Sequence, residues 1–366
     1  MTAGVQAPLI VLAAGGTGGH LFPAEALSHA LHARGLRVAL ITDTRAAEYA
    51  GSFPAESIHA VPAATPSGRS PLKMLQAALV LAKGAFAARR AIKALQPALV
   101  VGFGGYPTVP PVFAAALMGV PTLVHEQNAV AGRANRFLAG RVKVIATGFA
   151  EVGGLSAAQA AKCRLVGNPV RPAVLQAASP YPSLDGRVNL LVFGGSQGAR
   201  VMADIVPPAI QLLSPEERAR ISVVQQARAE DGERVRGIYA GLGVKAEIAP
   251  FFKDLPARMA ASHLVIARSG ASTIAELSVI GRPALLVPLP GSLDQDQAAN
   301  AAVLEKAGGA IRIMQPDFTP RRLAGELSGL LADPSRLTAM AASAKSAGIP
   351  DAADRLARLI AETAQI

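Results

Sequence analysis

The sequence predicts two α/β domains, each a parallel sheet layered with helices. Three observations carry this. The chain has 366 residues, more than one ordinary core holds but enough for two domains that fold on their own. Apolar residues make up 51%, with no Trp and only 4% aromatics, so the interior must be built from Ala, Val, Leu and Ile, the filling of sheets covered on both faces. Apolar strand-like runs also alternate with amphipathic stretches, in a plan that begins near residue 9 and starts again at residue 188.

In order, "LIVLAA" (9–14) reads as a buried strand, "FPAEALSHALHARG" (22–35) as a helix stopped by Gly35, and "RVALIT" (37–42) as the next strand. "PALVVGFGG" (97–105) and "PTLVHEQN" (121–128) repeat the pattern of a buried strand followed by a glycine-rich or polar loop. The Pro- and Ser-rich stretch 167–187 reads as a linker, after which "VNLLVFGGSQGAR" (188–200), "RISVVQQA" (220–227), "HLVIARSGASTIAELSVIG" (263–281) and "PALLVPLP" (283–290) build a second domain. Both halves share a strand, a glycine loop and a helix, a repeat of fold plan and not of sequence. Ligands of such sheets sit at the carboxyl ends of the strands, where helix N-termini offer N–H groups to anions.

Charge and composition exclude several classes. The single Cys163 leaves no disulfide framework and no Cys-based zinc site, and the chain reads as cytosolic, with an N-terminus lacking the pattern of a signal peptide. Residues 94–124 carry no charged side chain, long enough to cross a bilayer, but five prolines and four glycines break them into strand, loop, helix and strand. The net charge of +11 lies mostly in residues 1–170, which hold 15 Lys/Arg against 6 Asp/Glu. Such a surface suits a polyanionic partner, and the scarcity of aromatics favours lipid head groups or diphosphates over nucleic acid.

"AAGGTGGH" (13–20) is not a dinucleotide fingerprint, because Leu21 stands where G-x-G-x-x-G needs its last small residue, and it lacks the GK[ST] of a Walker loop. A dinucleotide reading would use Asp43, at the end of the second strand, as a ribose ligand. A ligand-free tight turn leaves His20 unexplained. At the start of a helix the macrodipole disfavours imidazolium, which keeps the ring neutral and able to accept a proton at pH 7. The other five histidines have no metal-ligand spacing, so no metal is expected.

"GGTGGHLFPA" (15–24), "GFGGYPTVPP" (102–111), "HEQNAVAGRANR" (125–136), "GNPVR" (167–171), "GGSQGAR" (194–200) and "RSGASTIAEL" (268–277) together resemble the MurG family of peptidoglycan transferases, in the family's order and over nearly the whole chain. The resemblance implies a GT-B fold: two Rossmann-like domains whose parallel sheets face a central cleft. It implies an acceptor- and membrane-binding domain of residues 1–170 and 348–366 and a donor-binding domain of 171–347. The implied reaction is inverting transfer of N-acetylglucosamine from UDP-N-acetylglucosamine to the C4 hydroxyl of the N-acetylmuramoyl-pentapeptide of lipid I, giving lipid II. No cofactor is expected, and the enzyme would sit peripherally on the cytoplasmic face of the inner membrane.

By the same resemblance His20 is the catalytic base. Thr17, Gly18, Gly19, Gly104, Gly105, Tyr106, Glu126 and Asn128 line the acceptor side, with Thr17 to Gly19 and Asn128 able to meet the donor as well. The donor diphosphate falls to Gly195, Ser196, Gln197 and Gly198, with Arg171 adding a charge-assisted contact. Glu276 takes the ribose hydroxyls, Gln297 and Asn300 the sugar, and Phe252, Arg268, Ser269, Gly270 and Ala271 complete the donor side. Asp296 stands where the family pattern has a first glutamine, and "DQD" (294–296) mimics a metal-binding Asp-x-Asp, but cationic and dipolar phosphate sites already exist, so no metal is required. In residues 70–93, Leu72, Leu75, Leu79 and Phe86 recur near helical spacing among Lys73, Lys83, Arg89, Arg90 and Lys93. This is either a face for anionic lipid, each basic residue contributing about 1 kcal/mol, or a core stripe. Alternatives to the transferase are another glycolipid or natural-product glycosyltransferase, a UDP-sugar epimerase, or a UDP-sugar-binding scaffold without activity.

Overall fold

The computed structural model describes residues 6–16, 18–49, 53–64, 71–195, 198–292 and 295–366, with the side chains of 45, 48, 49 and 71–73 outside the description. The chain divides into two compact units, Met1–Arg171 with Pro350–Ile366, and Pro172–Ile349.

The first unit contains β1 (Leu9–Ala13), α1 (Gly18–His32), β2 (Arg37–Thr42), α2 (Thr44–Tyr49), β3 (Ser57–Ala60), α3 (Pro71–Leu95) and β4 (Leu99–Gly102). A short 3-10 turn (Tyr106–Thr108) leads into α4 (Val109–Leu117), followed by β5 (Thr122–Glu126), α5 (Arg133–Ala139), β6 (Val144–Thr147), α6 (Ala157–Ala160) and β7 (Cys163–Leu165). The second begins with α7 (Pro172–Ala177), β8 (Val188–Phe193), α8 (Arg200–Gln211), α9 (Pro215–Ala219), β9 (Ile221–Gln226), α10 (Ala229–Gly241) and β10 (Lys245–Ala249). It continues through α11 (Leu255–Ala261), β11 (Leu264–Ala267), α12 (Ala271–Ile280), β12 (Ala284–Leu286), α13 (Asp296–Lys306), β13 (Ala310–Arg312), α14 (Pro320–Ala332) and α15 (Pro334–Ser346). The last helix, α16 (Ala352–Ala364), returns to the first unit.

Both sheets are parallel. The first has the order β3-β2-β1-β4-β5-β6-β7 and the second β10-β9-β8-β11-β12-β13. In each, the order reverses beside the first strand, between β1 and β4 and between β8 and β11, and a crevice opens at the carboxyl ends of such a pair. Register fixes what meets there: Ala13 pairs with Gly102 and Phe193 with Ala267.

Strand β1 shows why these runs are strands. All five residues are buried, with Ile10 and Leu12 in the layer beneath α1 and α16 and Leu9, Val11 and Ala13 in the layer on the other face. A side-chain period of two with both faces covered needs a continuous apolar run. Helix α16 closes the first of these layers by burying Leu356, Ala357 and Ile360 with Leu27 and Leu31 of α1. That contact joins the tail to the first unit. Residues 94–124 run from the end of α3 through β4, the 3-10 turn and α4 into β5, and among the described residues no helix is long and apolar enough to cross a membrane.

Candidate functional site

At the reversal point of the first sheet, two glycine turns meet one histidine. The first follows β1: Gly16 adopts a φ of +79°, and its N–H donates to Asp43 Oδ2 at 2.8 Å. Asp43 is buried at the end of β2, and its other oxygen accepts from the Ala46 N–H at 3.1 Å, capping α2. A Cβ at residue 15 would lie 2.5 Å from Asp43 Oδ2 and 2.8 Å from Thr42 Oγ1, so the close approach of this carboxylate requires glycine there.

The second turn follows β4, with Gly104 and Gly105 at φ +84° and +71°. The ring of His20, in the first turn of α1, packs against them. A Cβ at residue 104 would stand 3.5 Å from its Nε2, and one at residue 105 would stand 3.4 Å from its Nδ1. The ring donates a hydrogen bond to the Gly15 carbonyl; burial lowers its pKa below the ordinary 6.5, and that bond opposes the shift. With one nitrogen so engaged, the other of a neutral ring is a proton acceptor. Thr108, which motif reading did not single out, braces the turn by donating to the carbonyls of Ala13 at 3.0 Å and Gly104 at 2.7 Å.

The stretch 125–135 folds inward. Glu126 is buried: Oε1 accepts from the Asn128 N–H at 2.9 Å, and Oε2 from the Gly132 N–H at 3.0 Å and Asn135 Nδ2 at 2.8 Å. Desolvation pushes its carboxyl pKa up, and these donors pull against that. The Glu126 carboxylate thus shapes the loop carrying Asn128, which is itself half-buried. Gln127 Nε2 ties the loop to the Phe103 carbonyl at 3.0 Å. Arg171 places its guanidinium carbon 4.2 Å from the centre of the half-exposed Phe22 ring, a cation–π contact within the first unit. Gly18 lies under the same ring, Gly19 is exposed and Tyr106 half-buried. Thr17 lies outside the described residues.

In the second unit the loop after β8 leads into α8. Gly195 and Gly198 have φ of +92° and +68°, and the Gly198 N–H donates to the Gly195 carbonyl at 3.0 Å. The Gly194 N–H is held by Gln226 Oε1 at 3.1 Å, another contact that motif reading missed. Ser196 and Gln197 lie outside the described residues, as does Asp294 of "DQD".

Across the reversal point, β11 leads through Arg268, Ser269 and Gly270 to α12, with Gly270 at its N-cap and Ala271 its first residue. Arg268 donates to the carbonyls of Val287 at 3.0 Å and Pro288 at 3.1 Å and to Gln315 Oε1 at 2.6 Å. Ser269 Oγ donates to the Gln297 carbonyl at 2.8 Å, and Asn300 Nδ2 to the Ser269 carbonyl at 3.2 Å. Gln297 Oε1 accepts from the Leu289 N–H at 3.0 Å, while Asp296 Oδ1 accepts from the Gln297 N–H at 2.7 Å. The structure thus brings Arg268, Ser269, Gln297 and Asn300 together as a brace around two loops. Glu276 is buried on α12, and Phe252 is buried under the Arg258 guanidinium while Phe251 beside it is exposed.

Helix α3 turns Ala77, Gly84, Ala88 and Ile92 inward and Met74, Leu75, Leu79 and Phe86 outward. Lys83, Arg89, Arg90 and Lys93 are exposed, and Arg90 lies 4.7 Å over the Phe86 ring. Leu72 and Lys73 have side chains outside the description. Leu117 of α4 and Phe137 of α5 are exposed on the neighbouring helices, and Arg141 lies over the rings of Phe113 and Phe137. The core-stripe reading of α3 is thereby excluded for Leu75, Leu79 and Phe86.

The chain matches known proteins along nearly its whole length. Residues 10–147 match the glycosyltransferase family 28 N-terminal domain and residues 189–356 the family 28 C-terminal domain. The UDP-N-acetylglucosamine–N-acetylmuramyl-(pentapeptide) pyrophosphoryl-undecaprenol N-acetylglucosamine transferase of Methylobacterium sp. (strain 4-46) is 63% identical over 364 residues, 98% of each chain. The transferase of the same name from Rhodopseudomonas palustris (strain BisB18) is 59% identical over 364 residues, 99% of this chain and 97% of its own. The crystal structure of Acinetobacter baumannii MurG superposes with a TM-score of 0.79 at 29% identity, covering 97% of this chain and 99% of that one. A UDP-GlcNAc 2-epimerase from Neisseria meningitidis, at 13% identity over 97% of this chain and 98% of its own and a TM-score of 0.66, shares the fold alone. With both family domains matched in order and relatives of this identity along its length, the chain belongs to glycosyltransferase family 28, among the MurG transferases.

Proposed function

We infer that this protein transfers N-acetylglucosamine from UDP-N-acetylglucosamine to the C4 hydroxyl of the N-acetylmuramoyl-pentapeptide of lipid I, producing lipid II for peptidoglycan. The observation that supports this most is the similarity to transferases of that name along the whole chain, together with a histidine, its pKa lowered by burial, set beside two glycine turns. His20 takes the proton of the attacking hydroxyl. The oxygen then bonds to the anomeric carbon as the bond to the diphosphate breaks, with inversion, and UDP leaves with the electron pair.

The glycine turns at residues 15–19 and 104–105 hold the acceptor's diphosphate, with Tyr106 and Asn128 beside it. Gly195 to Gly198 at the start of α8 and the N-terminus of α12 receive the donor, where backbone N–H groups and helix dipoles offset the charge of the leaving diphosphate. Arg171 adds its cation, Glu276 the ribose contact, and Ser269, Gln297 and Asn300 frame the sugar by holding the loops around it. These cationic and dipolar groups carry the charge without a metal ion.

The acceptor's lipid places the enzyme peripherally on the cytoplasmic face of the cell membrane. The exposed side chains of α3 and the neighbouring Leu117, Phe137 and Arg141 supply an apolar patch ringed by cations for anionic lipid.

Purified protein mixed with labelled UDP-N-acetylglucosamine, a short-chain lipid I analogue and a chelator forms the disaccharide product; no product under these conditions, with or without added divalent metal, overturns the assignment. Product only with metal overturns metal independence alone. His20→Ala lowers kcat by about 10²–10⁴-fold with little change in donor KM, as removal of a general base does. An equal loss in donor affinity would make the residue structural.

A further inference from the structure

Asp43 was a ribose ligand on the dinucleotide reading, but its carboxylate is buried and turned toward the glycine turn. We propose that Asp43 acts on His20 through the Gly15–Gly16 peptide, as an aspartate–histidine couple with one amide between its members, which makes Asp43 a positioning residue for the base. The inference rests on the reading of His20 as that base.

The bonds belong to one peptide group. The N–H that Asp43 Oδ2 accepts at 2.8 Å is that of Gly16, and the carbonyl to which the His20 ring donates is that of Gly15. A trans amide points these two groups in opposite directions, so the carboxylate pulls on one edge and the imidazole on the other. Hydrogen bonds in series polarise one another, by roughly 10–30% per bond. A negative charge on the N–H side therefore makes the Gly15 carbonyl a stronger acceptor for the ring.

Three features fix the carboxylate in place. Its second oxygen is spent on the Ala46 N–H, which sets the side-chain rotamer. The register of β1 against β2, Ala13 with Ile41, sets the spacing between the Gly turn and Asp43. The absence of a Cβ at Gly15 lets the carboxylate approach, since a Cβ there would stand 2.5 Å from Oδ2.

The couple does two things for the base. It pins the ring in one tautomer, so the same nitrogen always faces the hydroxyl, and it returns basicity that burial removes. Other ionisable groups on the elements around the ring are Glu25, His29 and His32 on α1 itself, Tyr106 in the turn after Gly105, Arg133 and Arg136 on α5, and His125 and Glu126, whose carbonyl and carboxylate accept from Asn135 Nδ2 of that helix. Among the described contacts, the Asp43 carboxylate is tied to the ring's own acceptor peptide.

Asp43→Ser and Asp43→Asn each keep an oxygen able to cap α2, but lose the charge that Gly16 meets. In ring-15N-labelled full-length protein without substrate, the His20 titration midpoint is expected to fall by about half a unit to one unit in both variants relative to wild type. The acid limb of kcat/KM moves down with it, and kcat drops about tenfold with donor KM within about twofold. Wild-type protein shows a single His20 tautomer. An unshifted midpoint in folded variants overturns the couple, as does a wild-type ring of mixed tautomer, whatever the variants do. A His20→Ala enzyme that keeps its turnover overturns the base assignment instead; an inactive one with unshifted Asp43 variants overturns the couple alone.

Discussion

His125 is buried with Nε2 2.9 Å from the Gly167 carbonyl, and desolvation holds its pKa at about 4. An unfolded chain protonates the same ring near the ordinary 6.5. Stability from this group is therefore complete above about pH 6.5 and is lost as pH falls toward the folded value, by up to about 3 kcal/mol. Urea unfolding at pH 7.5 and pH 4.5 is expected to show a smaller acid loss for His125→Gln than for wild type, since Gln keeps a donor for Gly167 without titrating. Identical losses would remove His125 from the account. Glu126 and His125 also show why "HEQN" was legible as a motif and not as a contact set. Polar residue types at a strand end suggest a ligand surface, but whether they face it depends on the loop that supplies Asn128, Gly132 and Asn135 as partners.

At the scale of elements, the strong strands are where their apolar runs put them. "RVALIT" is β2 and "VNLLVF" is β8, because central strands buried on both faces carry an unbroken signal. The outer strands β3, "SIHA", and β10, "KAEIA", are only partly buried, so their composition has no such run to show. Helix α3 has the expected extent, but its buried face is Ala77, Gly84 and Ala88 with Ile92 toward its end, packed on α4 and the turn after β3, and the mostly small residues of that face escape a periodicity read from large apolar side chains. Leu356→Ala and Ile360→Ala each remove a fully buried side chain from the layer shared with Leu27 and Leu31, at about 2–5 kcal/mol apiece. Asp354→Ala, which breaks an exposed 3.3 Å pair with Arg34, changes stability by about 1 kcal/mol or less. Chemical denaturation that ranks Asp354 above the two core positions would contradict this packing.

For the whole molecule, the excess charge and the exposed apolar side chains fall in the same unit: residues 1–170 carry the basic surplus, and α3, α4 and α5 carry Leu75, Leu79, Phe86, Leu117 and Phe137. Cosedimentation with vesicles containing phosphatidylglycerol is expected to drop for Leu75→Ser/Leu79→Ser/Phe86→Ser and to weaken with added salt in the wild type, as screened charge does. Turnover of a soluble short-chain acceptor by the same variant stays near wild type. Vesicle binding unchanged by the triple substitution would move the membrane face elsewhere on the protein.

The sequence alone determined the two α/β units, the central strands, the glycine loops at their carboxyl ends, and membership of the transferase family, because each is written in local apolar runs or in contiguous motifs. Only the tertiary structure decided that α16 packs Leu356 and Ile360 in one layer with Leu27 and Leu31, that Glu126, Arg268 and Gln297 hold loops, and that Asp43 faces the peptide joining Gly15 to Gly16. Asp43 and Gly16 lie 27 positions apart and Arg34 and Asp354 320, and even the Glu126 partners, 2 to 9 residues on, meet it only because the loop folds back. A side chain's partner at such distances is set by strand register and layer packing, which no local pattern records.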